Sequence, residues 1–122
     1  MDNLISMASD INELVNTIEE GLKHIQTRAR DGYFEDTLYL FEDIVEGLNS
    51  IFEALQSIDA SRNLNRAQNK TVNLLDALDA INLAYRETNT ADADLLINNK
   101  LMPAFAEWKA ELEGCLFPII QS

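Results

Sequence analysis

The residues in this sequence that could do chemistry are few, and their spacing does not build a metal centre. A dinuclear metal site in a helical protein needs two Glu-x-x-His pairs, whereas this chain contains one histidine. Asp92-Ala93-Asp94 begins like a calcium-binding loop, but Leu95 to Ile97 follow where such a loop has an Asx-Gly pair. We therefore interpret Asp92 and Asp94 as carboxylates at the start of a helix, and we predict no metal site and no cofactor.

The single histidine, His24, lies beside the apolar row of its predicted helix rather than on it. An acidic helical bundle with such a histidine is the setting of histidine phosphotransfer domains. That family places a lysine and then a glycine one turn later, where this chain has Ile25, Gln26, Thr27 and Arg28. Arg28 could contact a phosphoryl group, but the glycine is missing. Phosphotransfer is thus the least favoured function, and a surface histidine near a helix C-terminus is the favoured interpretation.

The other reactive side chains also favour a protein without an active site. Cys115 lies in an apolar segment, with no histidine motif to activate it, and we expect a buried structural thiol. No Gly-rich phosphate loop, Ser-His-Asp order or CxxC pair occurs. Trp108, Tyr33, Tyr39 and Tyr85 are expected to pack in the core or at helix ends. The sequence therefore predicts that the chain is not an enzyme.

Length and charge limit the class of protein and its partners. A chain of 122 residues with 47% hydrophobic residues fits one domain, residues 1–122. Its 21 acidic and 9 basic residues give a net charge of -12, which should repel nucleic acid and anionic membranes. The first ten residues carry acids where a signal peptide has a basic region, and no apolar run is long enough to span a membrane. We expect a cytoplasmic protein.

Apolar residues at steps of three and four predict helices over about 4–29, 33–58, 63–87 and 91–115. Gly32 is expected to end the first helix, since glycine readily takes the left-handed conformation that closes helices. Pro103 should kink the fourth helix or make it restart, and Pro118 should direct the apolar tail back onto the bundle or towards another chain. The predicted fold class is all-α, an antiparallel up-and-down four-helix bundle.

The second predicted helix carries more apolar surface than one neighbour would cover. One row runs from Phe34 to Leu55 and a second row from Leu40 to Ile58, with Gly47 and Ala54 permitting close approach of another helix. The tail from Cys115 to Ile120 carries no charge. We therefore predict a partner-binding surface that combines the second row with the tail. Its candidate residues are Leu40, Ile44, Ile51, Ile58, Leu116, Phe117, Ile119 and Ile120.

A set of residues in the second half of the chain resembles the flagellin export chaperones. The resemblance is carried by Asn73-Leu74, Leu78, Ile81, Thr88-Asn89, Asp92, Asp94 and Trp108. Members of that family have a similar Asn-Leu and aliphatic run, followed by an acidic turn and a final helix that contains a tryptophan. The resemblance implies an acidic helical bundle that binds a disordered, helix-forming client protein in the cytoplasm.

Three functions are consistent with these features. The first is a non-catalytic cytoplasmic bundle that binds a protein partner through apolar helix surface. The alternatives are client binding of the flagellin export chaperone kind, and a structural protein that associates with itself, for example as a homodimer. The burial of Leu40, Ile44, Ile51 and Ile58 within one chain separates a free binding surface from an ordinary core.

Overall fold

A computed structural model of the protein describes residues 2–59, 65–87 and 90–121. Within these ranges 97% of the residues are helical and no strand occurs, which confirms the all-α class. The elements are α1 (Asp2–Arg30), a 3-10 turn (Phe34–Thr37), α2 (Leu38–Asp59), α3 (Asn65–Glu87), α4 (Thr90–Leu96), a π turn (Ile97–Leu101) and α5 (Met102–Gln121). Because α4, the π turn and α5 follow one another without a gap, they form one continuous helix, the fourth. The predicted start of the third helix, at residue 63, lies outside the described residues.

The end of α1 is set by Gly32, as the sequence predicts. Gly32 has a φ of 91°, a conformation that costs glycine little because it has no Cβ. The Gly32 N–H donates to the carbonyl of Ala29 at 3.1 Å, and the Tyr33 N–H donates to the carbonyl of Arg28 at 2.8 Å. These two bonds form a Schellman motif, which satisfies carbonyls that a helix end otherwise leaves free. The chain therefore turns sharply between α1 and the 3-10 turn.

The second helix differs from its predicted form at its start. It opens with a 3-10 turn from Phe34 to Thr37 before the regular α-helix begins at Leu38. Within that turn the Thr37 hydroxyl donates to the carbonyl of Phe34 at 2.5 Å. Such local side-chain bonds compete with regular helical bonds and explain the tighter turn.

The fourth helix does not restart at Pro103. A π turn lies directly before it, in which the Met102 N–H donates to the carbonyl of Ile97. In a regular α-helix the proline ring clashes with the carbonyl four residues earlier, and the wider turn replaces a regular turn at this place. The buried positions are Ala93, Ile97, Leu101 and Phe105. In a regular α-helix, residues spaced four apart shift gradually around the helix axis, so three such steps would move Phe105 away from the face that carries Ala93. The extra residue of the π turn corrects this shift and keeps all four positions facing the core.

The apolar tail continues as helix, so the prediction that it folds back or leaves the bundle is corrected. α5 runs through Pro118 to Gln121. Leu116 and Ile119 are buried in the core of the chain. Their burial supplies the free energy that offsets the backbone hydrogen bond which Pro118 cannot make.

The core is one cluster to which all four helices contribute. α1 packs closely against α2 and against α5, and α3 packs closely against α5 and α4. α2 and α3, by contrast, lie too far apart for comparable close packing. The largest side chains without exposure include Trp108, Phe34 and Phe105. The structure is therefore tightly closed on three of its sides and open along the side between α2 and α3.

The contact between α1 and α2 depends on two glycines. A Cβ atom at Gly21 of α1 would lie 3.0 Å from Cδ1 of Ile44, and a Cβ atom at Gly47 of α2 would lie 3.2 Å from Cδ1 of Ile18. Each helix thus receives an isoleucine of the other helix at a position without a side chain. Gly21 and Gly47 thus mark the places where α1 and α2 approach each other most tightly among the glycines of the described residues.

Candidate partner-binding groove

The open side between α2 and α3 contains a cavity of about 360 Å³. Both helices contribute apolar residues to its walls, and polar or acidic residues stand beside them. The lining residues are Phe41, Glu42, Val45, Leu48, Asn49, Leu75, Leu78, Asp79 and Asn82. We refer to the cavity and its continuation described next as the α2–α3 groove.

The groove continues along the same two helices into a smaller cavity of about 210 Å³. That cavity is lined by Phe52, Leu55, Gln56 and Thr71. Its residues follow Leu48 on α2 and precede Leu75 on α3, so both cavities lie along one line between the helices. The open region therefore extends over several helical turns.

The floor of the groove is apolar and well packed, while its upper wall is partly open. Phe41, Leu48 and Leu78 belong to the buried core. Above them, Leu75 is 41% exposed, and Val45 is half-buried. The groove thus offers apolar side chains that another molecule could cover without displacing the core.

One end of the groove is closed by an aromatic cluster that joins α3 to the start of the second helix. The Tyr85 ring stacks on Phe34 with centroids 4.0 Å apart and lies 5.0 Å from Phe41. The Tyr85 hydroxyl and the Thr37 hydroxyl lie 2.7 Å apart. Burial raises the pKa of Tyr85 to about 12, because the phenolate would lose its water shell, and the hydrogen bond with Thr37 lowers it slightly.

Trp108 of α5 lies directly behind the smaller cavity. Its ring meets Phe52 edge to face at 5.9 Å, and its Nε1–H donates to the Thr71 hydroxyl at 3.1 Å. Phe52 and Thr71 both line the groove. The single tryptophan of the chain is therefore in contact with residues of both groove walls.

The groove is acidic at its edges. Glu42 and Asp79 are exposed on opposite walls, and α2 contains no Lys, Arg or His. The stretch from Thr71 to Tyr85 in α3 also has none. The cation that precedes it, Lys70, lies 3.5 Å from Glu107 of α5. The potentials of neighbouring carboxylates add, so the electrostatic potential at the surface of the groove is negative.

A second cavity, of about 500 Å³, lies between the start of α1 and the end of α2. Met7, Ile11 and Leu14 of α1 line it opposite Ile51 and Ala54 of α2. None of these apolar residues is among the large apolar side chains that are exposed in the described part of the chain. Unlike the α2–α3 groove, which has the exposed Leu75 on its wall, this cavity is lined by partly or fully buried apolar side chains.

The predicted partner-binding residues lie mostly in the core, which corrects that prediction. Ile44, Ile51, Ile58, Leu116 and Ile119 are buried within the chain. Ile44 is covered by α1 at Gly21, as described above. An apolar row on one helix does not reveal which neighbour covers it, and α1 together with the shared core covers the second row of α2.

The remaining predicted residues are only partly accessible. Leu40 and Ile120 are half-buried against the core, and Phe117 is 36% exposed. The predicted set therefore does not form one continuous free surface.

Three of the exposed large apolar side chains of the described residues lie instead on α3, outside the predicted set. Val72 is 59% exposed, Leu75 41% and Leu83 53%. At 100° per residue these three positions fall within about 80° of one another on the helix surface. Their spacing could have identified this face, because Val72 and Leu83 both point away from the buried row through Leu74 and Ile81.

The residues weighed for chemistry lie apart from the groove. His24 is exposed on α1. Cys115 is half-buried, not buried as predicted. Asp94 accepts a hydrogen bond from the Asn98 side chain at 3.1 Å, and Asp92 lies in the first turn of α4. Among residues 2–59, 65–87 and 90–121, no group of three potential metal ligands comes together, and no helix is long and apolar enough to cross a membrane.

Comparison with known proteins places the chain in a family. Neither the curated proteins nor the solved structures contain a match to it. The family model described as domain of unknown function DUF8042 matches residues 6–111. This range includes the groove and the aromatic cluster at its end. Because the match covers far more than half of the sequence, the chain belongs to the DUF8042 family.

Proposed function

We propose that this chain is a non-catalytic cytoplasmic protein that binds a protein partner through the apolar surface of α3 and the adjoining groove. The observation that carries the proposal is the exposure of Val72, Leu75 and Leu83 on one face of α3. Single exposed apolar residues are normal, whereas several on one helix face are typical of interaction sites. Of these three, Leu75 lines the groove, and Leu83 lines a separate cavity beside Asp92 and Leu96 of α4. Burying these three side chains would contribute on the order of several kcal/mol to association.

We further propose that the four helices run up and down as an antiparallel bundle. Contacting residues support it, because their numbers rise along one helix as they fall along the neighbouring helix. The supporting pairs are Ile18 with Gly47, Gly21 with Ile44, Glu19 with Lys109, Gln26 with Asn98, and Thr37 with Tyr85. An arrangement of this kind presents α2 and α3 as adjacent walls of one groove.

The two alternatives differ in the partner. Client binding like that of flagellin export chaperones would use the same groove for a helix-forming segment. Self-association would pair the α3 faces of two copies. The net charge of -12 on each copy opposes self-association, since two such chains repel each other before their apolar faces meet. A different protein is therefore the preferred partner.

The experiment compares capture of proteins from lysate by the immobilised wild-type chain and by the triple variant Val72→Ser, Leu75→Gln, Leu83→Ser. The matched control is Leu95→Ser on α4, a residue that is 59% exposed but lies outside the groove. We expect one protein to be retained by the wild type and the control, and to bind the triple variant at least about tenfold more weakly. Circular dichroism should show unchanged helix content in every variant.

Two results would contradict the proposal. The first is equal retention by the wild type and the triple variant, because the α3 face would then have no role. The second is a dimer of the wild-type chain in light scattering that the triple variant abolishes. That dimer would identify self-association as the use of this face.

A further inference from the structure

We infer that the partner docks in the α2–α3 groove as an amphipathic helix whose apolar stripe is flanked by lysine or arginine. This inference rests on the proposed function and adds the site, the conformation and the charge of the partner segment. It follows from three properties of the groove: its length, its walls and its acidic edges.

The length of the groove suits a short helix. The groove extends on α2 from Phe41 to Leu55, which at 1.5 Å per residue is about 21 Å. A partner helix of about four turns covers this distance. Its apolar residues at successive turns would contact Val45, Leu75 and Phe52, which are only partly covered by the chain itself.

The walls of the groove favour a helical partner over an extended one. Both walls are the sides of α-helices, whose backbone N–H and C=O groups bond to one another along the helix. An extended peptide would find no free backbone groups to pair with, unlike a peptide that adds to a sheet edge. A helix satisfies its own backbone and needs only apolar side chains to fill the groove.

The edges of the groove select for positive charge. Glu42 stands on the α2 wall and Asp79 on the α3 wall, and neither α2 nor the stretch from Thr71 to Tyr85 supplies a cation. A partner helix with Lys or Arg on both sides of its apolar stripe would place a cation near each carboxylate. A second copy of this chain supplies no cation from its α2 or from residues 71–85 of its α3, which makes these two faces poor occupants of the groove.

The test uses two synthetic peptides of about 18 residues, long enough to form a helix on binding. Both carry leucine at helical spacing and lack tryptophan. One carries lysine beside the leucine stripe and the other carries glutamate at the same positions. Binding is followed by anisotropy of the labelled peptide and by the fluorescence of Trp108, which contacts Phe52 and Thr71 of the groove.

We expect the lysine peptide to bind at least about tenfold more tightly than the glutamate peptide at low salt. The difference should shrink in about 0.5 M NaCl, because salt screens exposed charges. The emission of Trp108 should change on binding. Leu75→Gln should weaken the binding of the lysine peptide at least about fivefold, since Leu75 forms the accessible apolar wall.

The charge argument is tested with a matched pair of double variants. Glu42→Gln with Asp79→Asn removes two carboxylates at the groove. Glu20→Gln with Asp43→Asn removes two exposed carboxylates outside it. We expect the first variant to bind the lysine peptide at least about threefold more weakly and the second to remain within about twofold of wild type.

Several results would overturn the inference. Equal affinity for both peptides, equal effects of the two double variants, or no effect of Leu75→Gln would each do so. A wild-type dimer that Leu75→Gln converts to a monomer would show a second copy in the groove instead. A natural partner that needs Val72, Leu75 and Leu83 but is not displaced by the lysine peptide would leave the proposed function standing and overturn only the groove inference.

Discussion

Tyr85 is the residue that joins the third helix to the start of the second. Its ring stacks on Phe34, and its hydroxyl shares a hydrogen bond with the buried Thr37. The Thr37 hydroxyl also bonds to the carbonyl of Phe34, and either hydroxyl can be the donor in the pair with Tyr85. Tyr85 therefore links α3 to the start of the second helix through both its ring and its hydroxyl.

The raised pKa of Tyr85, about 12 in the folded chain against about 10 when unfolded, makes stability depend on pH. Folding favours the protonated phenol, so its contribution is complete below pH 10 and is lost as the pH rises towards 12. The loss should be on the order of 2 kcal/mol. Denaturant unfolding measured between pH 9 and 12 (about the titration range of tyrosine) checks this expectation.

Tyr85→Phe should remove this part of the pH dependence, whereas Tyr39→Phe should leave it unchanged, because Tyr39 is exposed. An identical alkaline loss of stability in the wild type and in Tyr85→Phe would refute the assignment. The sequence predicts that Tyr85 packs in the core or at a helix end and has no catalytic role. It could not predict the hydroxyl partner, since Thr37 lies on another element.

At the scale of elements, α1 and α2 approach each other through reciprocal packing. Ile44 of α2 faces Gly21, and Ile18 of α1 faces Gly47. Glycine inside a helix costs roughly 0.5–1 kcal/mol relative to alanine. At these two positions the close approach of the helices offsets that cost, since an added Cβ would press on a core isoleucine.

We expect Gly114→Ala to raise the free energy of unfolding by about 0.5–1 kcal/mol, because a Cβ atom there would meet nothing within 4 Å. Gly21→Ala and Gly47→Ala should give no such gain, since Ile44 and Ile18 would have to shift. Urea unfolding of the three variants measures the difference. Equal stabilisation by all three variants would show that Ile44 and Ile18 can move aside at little cost in free energy.

The elements themselves are largely predictable from the sequence. The apolar spacing places the four helices to within a few residues, except that the fourth continues to Gln121 and does not end near residue 115, and Gly32 correctly marks the first turn. The 3-10 turn at Phe34 and the π turn at Ile97 are not predicted. Both involve local bonding, of Thr37 in one case and of Met102 in the other.

At the scale of the whole molecule, α2 is supported less than α1. α1 packs closely on α2 and on α5, whereas α2 packs less closely against α3, with Phe41 in ring contact with Tyr85. Local opening needs less free energy where fewer apolar contacts must be broken. The open side is thus a property of the assembled molecule, not of one helix.

Amide hydrogen exchange should therefore be faster in the middle of α2, around Asn49, than in the middle of α1, around Val15. Mass spectrometry of proteolytic fragments after exchange measures both. Tyr85→Phe should speed exchange at the start of α2 further, since it weakens the link to α3. Equal protection of α1 and α2 would contradict this account.

The candidate site was less predictable than the fold for a physical reason. Burial depends on the distance between neighbouring helices, and the sizes of side chains on both helices set that distance. Two apolar rows on α2 suggest surplus surface, yet Ile44, Ile51 and Ile58 are covered within the chain. Leu75 belongs to a regular amphipathic helix and becomes accessible only because α2 stands away from it.

The π turn at Ile97–Leu101 has a consequence for how the sequence can change. Deleting one residue from a regular helix rotates all following side chains by about 100°. Deleting one residue from the π turn would instead convert it into a regular α-helical turn, and the following side chains would keep their orientation. The proline ring at position 103 would then meet the carbonyl four residues before it. The inserted residue and the proline are thus coupled, and we expect related sequences to gain or lose them together.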